Sequence, residues 1–180
     1  VLNSRQRLHR GAPSAATLTG TAANAAAPQL SPARPVPGLN ALNAGGTAKV
    51  NTVSCATPGN CVAAGSYTDA AGNLLPFVAD EKNGTWGNAH GLDAVTRATD
   101  IKAEILSVSC ATPGNCAAVG YAGAPGLPVA FVASETNGTW GPELVIPGLG
   151  GHTSEAGSVS CPAAGGCAAA RARSSSALPA

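Results

Sequence analysis

Nine consecutive residues occur twice without change, and that repetition limits the folds open to the chain more than any other feature. Val53-Ser54-Cys55-Ala56-Thr57-Pro58-Gly59-Asn60-Cys61 returns at residues 108–116, and a third, looser copy occupies residues 159–167. The leading cysteines, Cys55, Cys110 and Cys161, are 55 and then 51 positions apart. A second block repeats with them: Phe77-Val78-Ala79 through Asn83-Gly84-Thr85-Trp86-Gly87 matches Phe131-Val132-Ala133 through Asn137-Gly138-Thr139-Trp140-Gly141. Gly38-Leu39-Asn40-Ala41-Leu42 is similar to Gly91-Leu92-Asp93-Ala94-Val95. The chain therefore reads as the tail of one unit, two nearly full units and the start of another. A fixed period of this length signals stacked supersecondary units, each burying a face against its neighbour.

Within a unit the signals are those of short strands. The first strand ends at the leading cysteine, a Pro-Gly-Asn turn reverses the chain, and the second runs from Cys61 to Thr68 or Cys116 to Ala122. A glycine-containing loop at residues 69–73 leads to a third strand through Phe77. Asn83-Gly84 is the strongest short hairpin signal, a type I′ turn, and opens a fourth strand carrying Trp86. No apolar period of about 3.6 residues persists long enough for a helix of useful length. The expected fold is all-β: tandem four-stranded units in an incomplete β-propeller-like array, four strands in about 50 residues being the size of one blade.

The six aromatic residues pair off between units as Tyr67 with Tyr121, Phe77 with Phe131 and Trp86 with Trp140. A ligand platform gathers aromatics at one place, whereas packing between neighbouring sheets needs the same filler in every unit, so these six are read as repeat core. Only 3% of the chain is aromatic and 11% charged. Side chains that sparse in bulk fill a thin core, and the expected reinforcement is three disulfides: Cys55–Cys61, Cys110–Cys116 and Cys161–Cys167. Cysteines facing each other across a tight antiparallel hairpin meet the required separation. Zinc knuckles use shorter spacings and no histidine lies near the pairs, so no metal or other cofactor is expected.

Arg5, Arg7 and Arg10, the Ala- and Thr-rich residues 11–27 and an Ala23-Asn24-Ala25 site have the parts of a secretory signal peptide. Residues 1–35 are read as this segment and a Pro-rich linker, residues 36–170 as the repeat region, and residues 171–180 as a disordered tail. The units lie at about 48–102, 103–156 and, in part, 157–170. The expected location is secreted or cell-surface. A net charge of +1 gives no footprint for nucleic acid, and no apolar run is long enough for a transmembrane segment. The stretch from the tryptophan to the next cysteine varies in length, as ligand-facing loops do.

The order S-V-S-C, C-x-A-x-G, Tyr, N-G-T-W resembles tandem repeats of large secreted bacterial proteins of β-propeller type. It is carried by Ser54-Cys55, Cys61 to Gly65 and Asn83 to Trp86, and by their second copies, over residues 36–170. The resemblance implies a fold more than an activity. Residues 134–140 have a fainter likeness to the Asp-box of sialidases, S-x-D-x-G-x-T-W, but lack the aspartate and are one residue short. No sialidase catalytic residue is carried over.

No catalytic set converges in the sequence. His9, His90 and His152 are isolated and unmatched between units, and Asp80 with Glu81 reads as charge that keeps a strand edge soluble. Asn83 and Asn137 lie in formal glycosylation acceptors that the turn itself explains. The expected function is a non-catalytic extracellular module for binding or adhesion, its partner an extracellular glycan or protein, with self-association through open sheet edges. The alternative is a fragment of an extracellular carbohydrate-active enzyme of sialidase-like propeller type.

Overall fold

A computed structural model describes residues 33–92, 102–146 and 154–173. The signal-like residues 1–27, most of the connectors before Cys110 and Cys161, and His152 lie outside the described residues. Among the described residues the fold is all-β apart from one short helical turn, α1 (Leu39–Leu42). In the first unit the strands are β1 (Ala48–Thr57), β2 (Asn60–Thr68), β3 (Leu74–Lys82), β4 (Thr85–Trp86) and β5 (His90–Gly91). The second unit repeats them as β6 (Lys102–Thr112), β7 (Asn115–Gly123), β8 (Val129–Thr136), β9 (Thr139–Trp140) and β10 (Leu144–Val145). The third contributes the hairpin β11 (Ser154–Ala163) and β12 (Gly166–Arg173). Among the described residues no helix is long and apolar enough to cross a membrane.

The first two units form one mixed sheet in the order β1-β2-β3-β6-β7-β8-β10, with β4 and β5 on β3 and β9 on β8. Its end strands, β1 and β10, do not pair with each other, so the sheet is not closed into a barrel. Pairing within a unit is antiparallel, and the units are joined in the sheet by a parallel bridge of Leu74 to Lys102. The expected fourth strand is present but broken: β4 and β5 both lie along β3, and Gly87 N–H donates to Asp80 O (2.8 Å) where the strand is interrupted.

Turn chemistry explains the invariant residues. Asn83 and Gly84 both have positive φ (51° and 80°), as do Asn137 and Gly138 (51° and 79°), which is the type I′ geometry. Gly84 N–H donates to Gly59 O (2.8 Å) and Gly138 N–H to Gly114 O (2.9 Å), so the two turns of a unit are hydrogen-bonded to each other. The Asn60 side chain completes this link. It donates to Thr57 Oγ1 (3.1 Å) and accepts from Asn83 N–H (3.3 Å), and Asn115 does the same with Thr112 and Asn137. Thr-Pro-Gly-Asn and Asn-Gly recur together because they form one double turn.

The three expected disulfides are formed, with Cα atoms 3.9, 4.0 and 4.1 Å apart, and the first two join directly opposed strand positions. That closeness belongs to a non-hydrogen-bonded antiparallel pair, where side chains approach most nearly.

Successive hairpins stack face to face, and the Thr/Ser-Val-Ser-Cys segment explains how. Val108 N–H donates to Thr52 Oγ1 (3.3 Å) and Cys110 N–H to Ser54 Oγ (3.0 Å). One unit further on, Val159 N–H donates to Ser107 Oγ (3.2 Å) and Cys161 N–H to Ser109 Oγ (3.0 Å). Each unit's hydroxyls thus satisfy strand N–H groups of the next. The apolar core lies in layers between units. Val62, Ala64 and Val78 of the first meet Ile105, Val108 and Phe131 of the second; Ala117, Val119 and Ala130 of the second meet Ala156, Val159 and Cys161 of the third. A third cluster, around Tyr67, Phe77 and Ala79, is covered by Val36, Leu39 and Leu42. Leu39 packs there as Leu92 packs in the cluster of Phe131, in keeping with the similarity of residues 38–42 to 91–95.

Two sequence expectations change. The tyrosines are not equivalent: Tyr67 pairs with Ala48 and Tyr121 with Glu104, one step apart in register. A one-residue step reverses the face, so Tyr67 is core and Tyr121 is a hydrogen-bonding residue. Trp86 and Trp140 are half-buried, each packed against a core cluster. Finally, β12 continues through Arg173, where the sequence pattern placed a disordered tail, because its backbone pairs with Ser154, Glu155 and Ala156.

Candidate functional site

Stacking of unequal units creates a cleft where the first and second units meet at their turns. Glu81 and Glu135 hold the same place in the repeat, at the end of β3 and β8. Their surroundings differ because Glu135 has a unit in front of it. Its side chain points to the cleft between the units and is 4% exposed, with Oε2 lacking a hydrogen-bond partner. The cleft has a volume of about 430 Å3 and is lined by Asp80, Lys82, Asn83, Glu135 and Asn137, with the Cys110 and Cys116 cystine in its wall.

Electrostatics follow from this packing. Burial pushes the Glu135 carboxyl up to about 7, with the Asp80 carboxylate adding to the rise and the Lys82 ammonium opposing it. Asp80 is held in place from the second unit: Trp140 Nε1–H donates to its Oδ1 (3.1 Å), so the indole ties the two units at the cleft. A carboxyl whose affinity for its proton is raised by burial can serve as donor as well as acceptor, and it stands beside the Asp80 and Lys82 side chains. This set suits a polar, hydroxyl-bearing ligand.

A second polar centre at the other end of the same interface is structural. Glu104 accepts from Asn51 Nδ2 (2.7 Å), Ser66 Oγ (3.4 Å) and Tyr121 O–H (3.0 Å), with Lys49 Nζ at 3.8 Å. Desolvation first, and then the Glu104 carboxylate, push the Tyr121 hydroxyl up to about 12. With so many partners, Glu104 presents no spare group to a ligand.

Of the residues singled out from sequence, the six cysteines are cystines and Phe77 and Phe131 are fully buried. Trp140 packs against the inter-unit core, and Trp86 against the cluster covered by Leu39. His90 is exposed on β5. None of these forms the cleft's polar set. Sequence reasoning took Asp80 for an edge charge and missed Glu135. The one signal was departure from the repeat: Asp80 and Lys82 stand where the second unit has Ser134 and Thr136.

The desolvated Glu135 predicts a pH dependence. Its folded-state pKa lies above the ordinary 4.5, so the native state binds the proton more tightly. The stabilisation is fully present below pH about 4.5 and is lost as pH rises to about 7. Glu135→Gln keeps the neutral shape and is expected to flatten the stability profile over that window, gaining about 1–3 kcal/mol at pH 8 relative to wild type. Chemical denaturation at a series of pH values checks this; parallel profiles for the two proteins would contradict it.

Together these features define a class: an all-β, disulfide-bonded protein of stacked repeat units with a polar cleft between two of them. No protein-family model matches the chain, and no curated protein matches it.

Proposed function

We propose that the chain is a non-catalytic extracellular binding module of β-propeller-like architecture, taking a glycan in the cleft between its first two units. The observation that carries this reading is Glu135, buried, with one carboxyl oxygen unpartnered and facing a polar cleft. Groups left unsatisfied on burial cost free energy unless something pairs with them, and a sugar hydroxyl can accept from or donate to a protonated carboxyl. The three cystines support secretion, since such bonds persist in oxidising compartments. The four-strand meander repeated in two units supports a blade-like architecture. A glycan array followed by calorimetry tests the reading. Binding is expected to fall at least about tenfold in Glu135→Ala, a loss of about 1.4 kcal/mol. Binding unaffected by that change, or no glycan bound at all, would end it.

One observation favours a second reading, a carbohydrate-active enzyme: Asp80 and Glu135 line the same cleft with different surroundings. Glycoside hydrolysis uses one protonated carboxyl as acid and one carboxylate as nucleophile or base. Release of reducing sugar that is lost in both Asp80→Asn and Glu135→Gln would replace binding with hydrolysis.

A further inference from the structure

The interface that joins the units is left half-made at both ends of the described stack, and the two halves match each other. The repeated valine shows this first. Val108 and Val159 are 6% and 8% exposed, each covered by the strand of the preceding unit, whereas Val53 is 55% exposed. The residue three positions earlier, across the bulge, behaves alike: Ile105 and Ala156 are buried, while the equivalent Val50 is 43% exposed. Among the described residues β1 also pairs only with β2. By repeat, the N–H groups of Val53 and Cys55 take the direction that Val108 and Cys110 use to reach Thr52 and Ser54.

The other half lies on β11. Ser158 and Ser160 are the repeat equivalents of Ser107 and Ser109, whose hydroxyls accept strand N–H groups from the next unit. Both are exposed, as are Ala168 and Ala170 on β12 beside them. Charge agrees with this fit. Lys49 and Glu104 face each other at 3.8 Å across the first interface, and the equivalent residue in the third unit is Glu155. Setting β11 over β1 would bring exposed Glu155 to Lys49, an attractive pair.

We infer that this face is an interface for a second copy of the chain, stacked head to tail with β11 of one copy over β1 of the other. Ser158 and Ser160 of one copy accept from Val53 and Cys55 N–H of the next, Val50 and Val53 become buried, and Glu155 meets Lys49. The contact continues an interface the fold already builds twice. Because it joins two different surfaces, each copy keeps one free face, and assembly proceeds to a ring or a chain. The inference is independent of what occupies the cleft.

Complementation tests it. Val53→Asp spoils the head and Ser160→Asp the tail, each at an exposed position that leaves the internal packing intact. Light scattering after size exclusion is expected to show the wild-type mass rising with concentration. Each variant alone should remain monomeric, and an equimolar mixture should associate through its one intact pair of faces. Val50→Lys with Ala168→Arg repeats the design at a second position on each face. A wild type that stays monomeric at every concentration, a single variant that assembles like wild type, or a mixture that fails to associate would overturn the inference.

Discussion

Phe131→Ala is expected to destabilise the protein by about 3–5 kcal/mol, the usual cost of emptying a fully enclosed aromatic site. Phe131 has no exposed surface, and its cluster draws on both units: Val62, Ala64 and Val78 from one, Ile105 and Val108 from the other. Most of its neighbours are alanine or valine, too short to collapse into the space, so the cavity term stays large. The loss falls on the interface as well as on the second unit. Urea denaturation should show a lower midpoint. Hydrogen exchange should speed up at Val108 and Cys110, whose N–H groups bond across the interface. Phe77→Ala, equally buried but in the cluster covered by residues 36–42, should leave those two amides much less affected. A loss below about 1 kcal/mol for Phe131→Ala would mean the layer between units is not the core.

Gly120→Ala is expected to cost about 3 kcal/mol or more, at the upper end for overpacking, because the obstruction is backbone. Opposite Gly120 the partner strand bulges between Ile105 and Ser107. A Cβ on Gly120 would come within 1.9 Å of Glu104 O, and on Gly65 within 1.9 Å of Lys49 O. The requirement is for space, not for an unusual φ, and a carbonyl in a paired strand cannot swing aside as a long side chain could. Gly157, with nothing within 4 Å of its Cβ site, is the control. Gly157→Ala should change stability by less than about 1 kcal/mol. Thermal unfolding of the two variants side by side decides the matter, and equal melting temperatures would remove the steric account. Arg171 pairs with Ala156 at the place equivalent to Gly65 and Gly120, so the third hairpin departs from the first two just there.

Much of the local structure was legible because it rests on local chemistry. Asn-Gly fixes a type I′ turn through positive φ, Pro-Gly reverses the chain, and cysteines six apart across that reversal oppose each other. Strand pairing was also within reach, since alternating small apolar residues bounded by such turns leave little choice of partner. Counting repeats failed at the tyrosines, where a one-residue offset invisible in a loose alignment reversed the face of the side chain. It failed again at Arg171–Arg173, where a stretch without strand-like residues pairs because its partner strand is already in place.

Beyond the departure from the repeat at Asp80 and Lys82, the cleft was not legible, for a physical reason. Glu81 and Glu135 are the same residue at the same repeat position, and their differing flanks, Asp80 and Lys82 against Ser134 and Thr136, do not say which of the two is buried. What separates them is whether another unit stands in front. Glu135 meets Asp80 and Lys82 from 55 and 53 positions away and loses its water, whereas Glu81 stays partly exposed. The same holds for Val53 and Val108, or for Ser160 and Ser109, identical in sequence and opposite in burial or bonding. The sequence by itself determined the turns, the disulfides and the repeating hairpin, since these depend on neighbours in the chain. Only the tertiary structure decided which copy of each residue is desolvated, because desolvation depends on what is stacked against it.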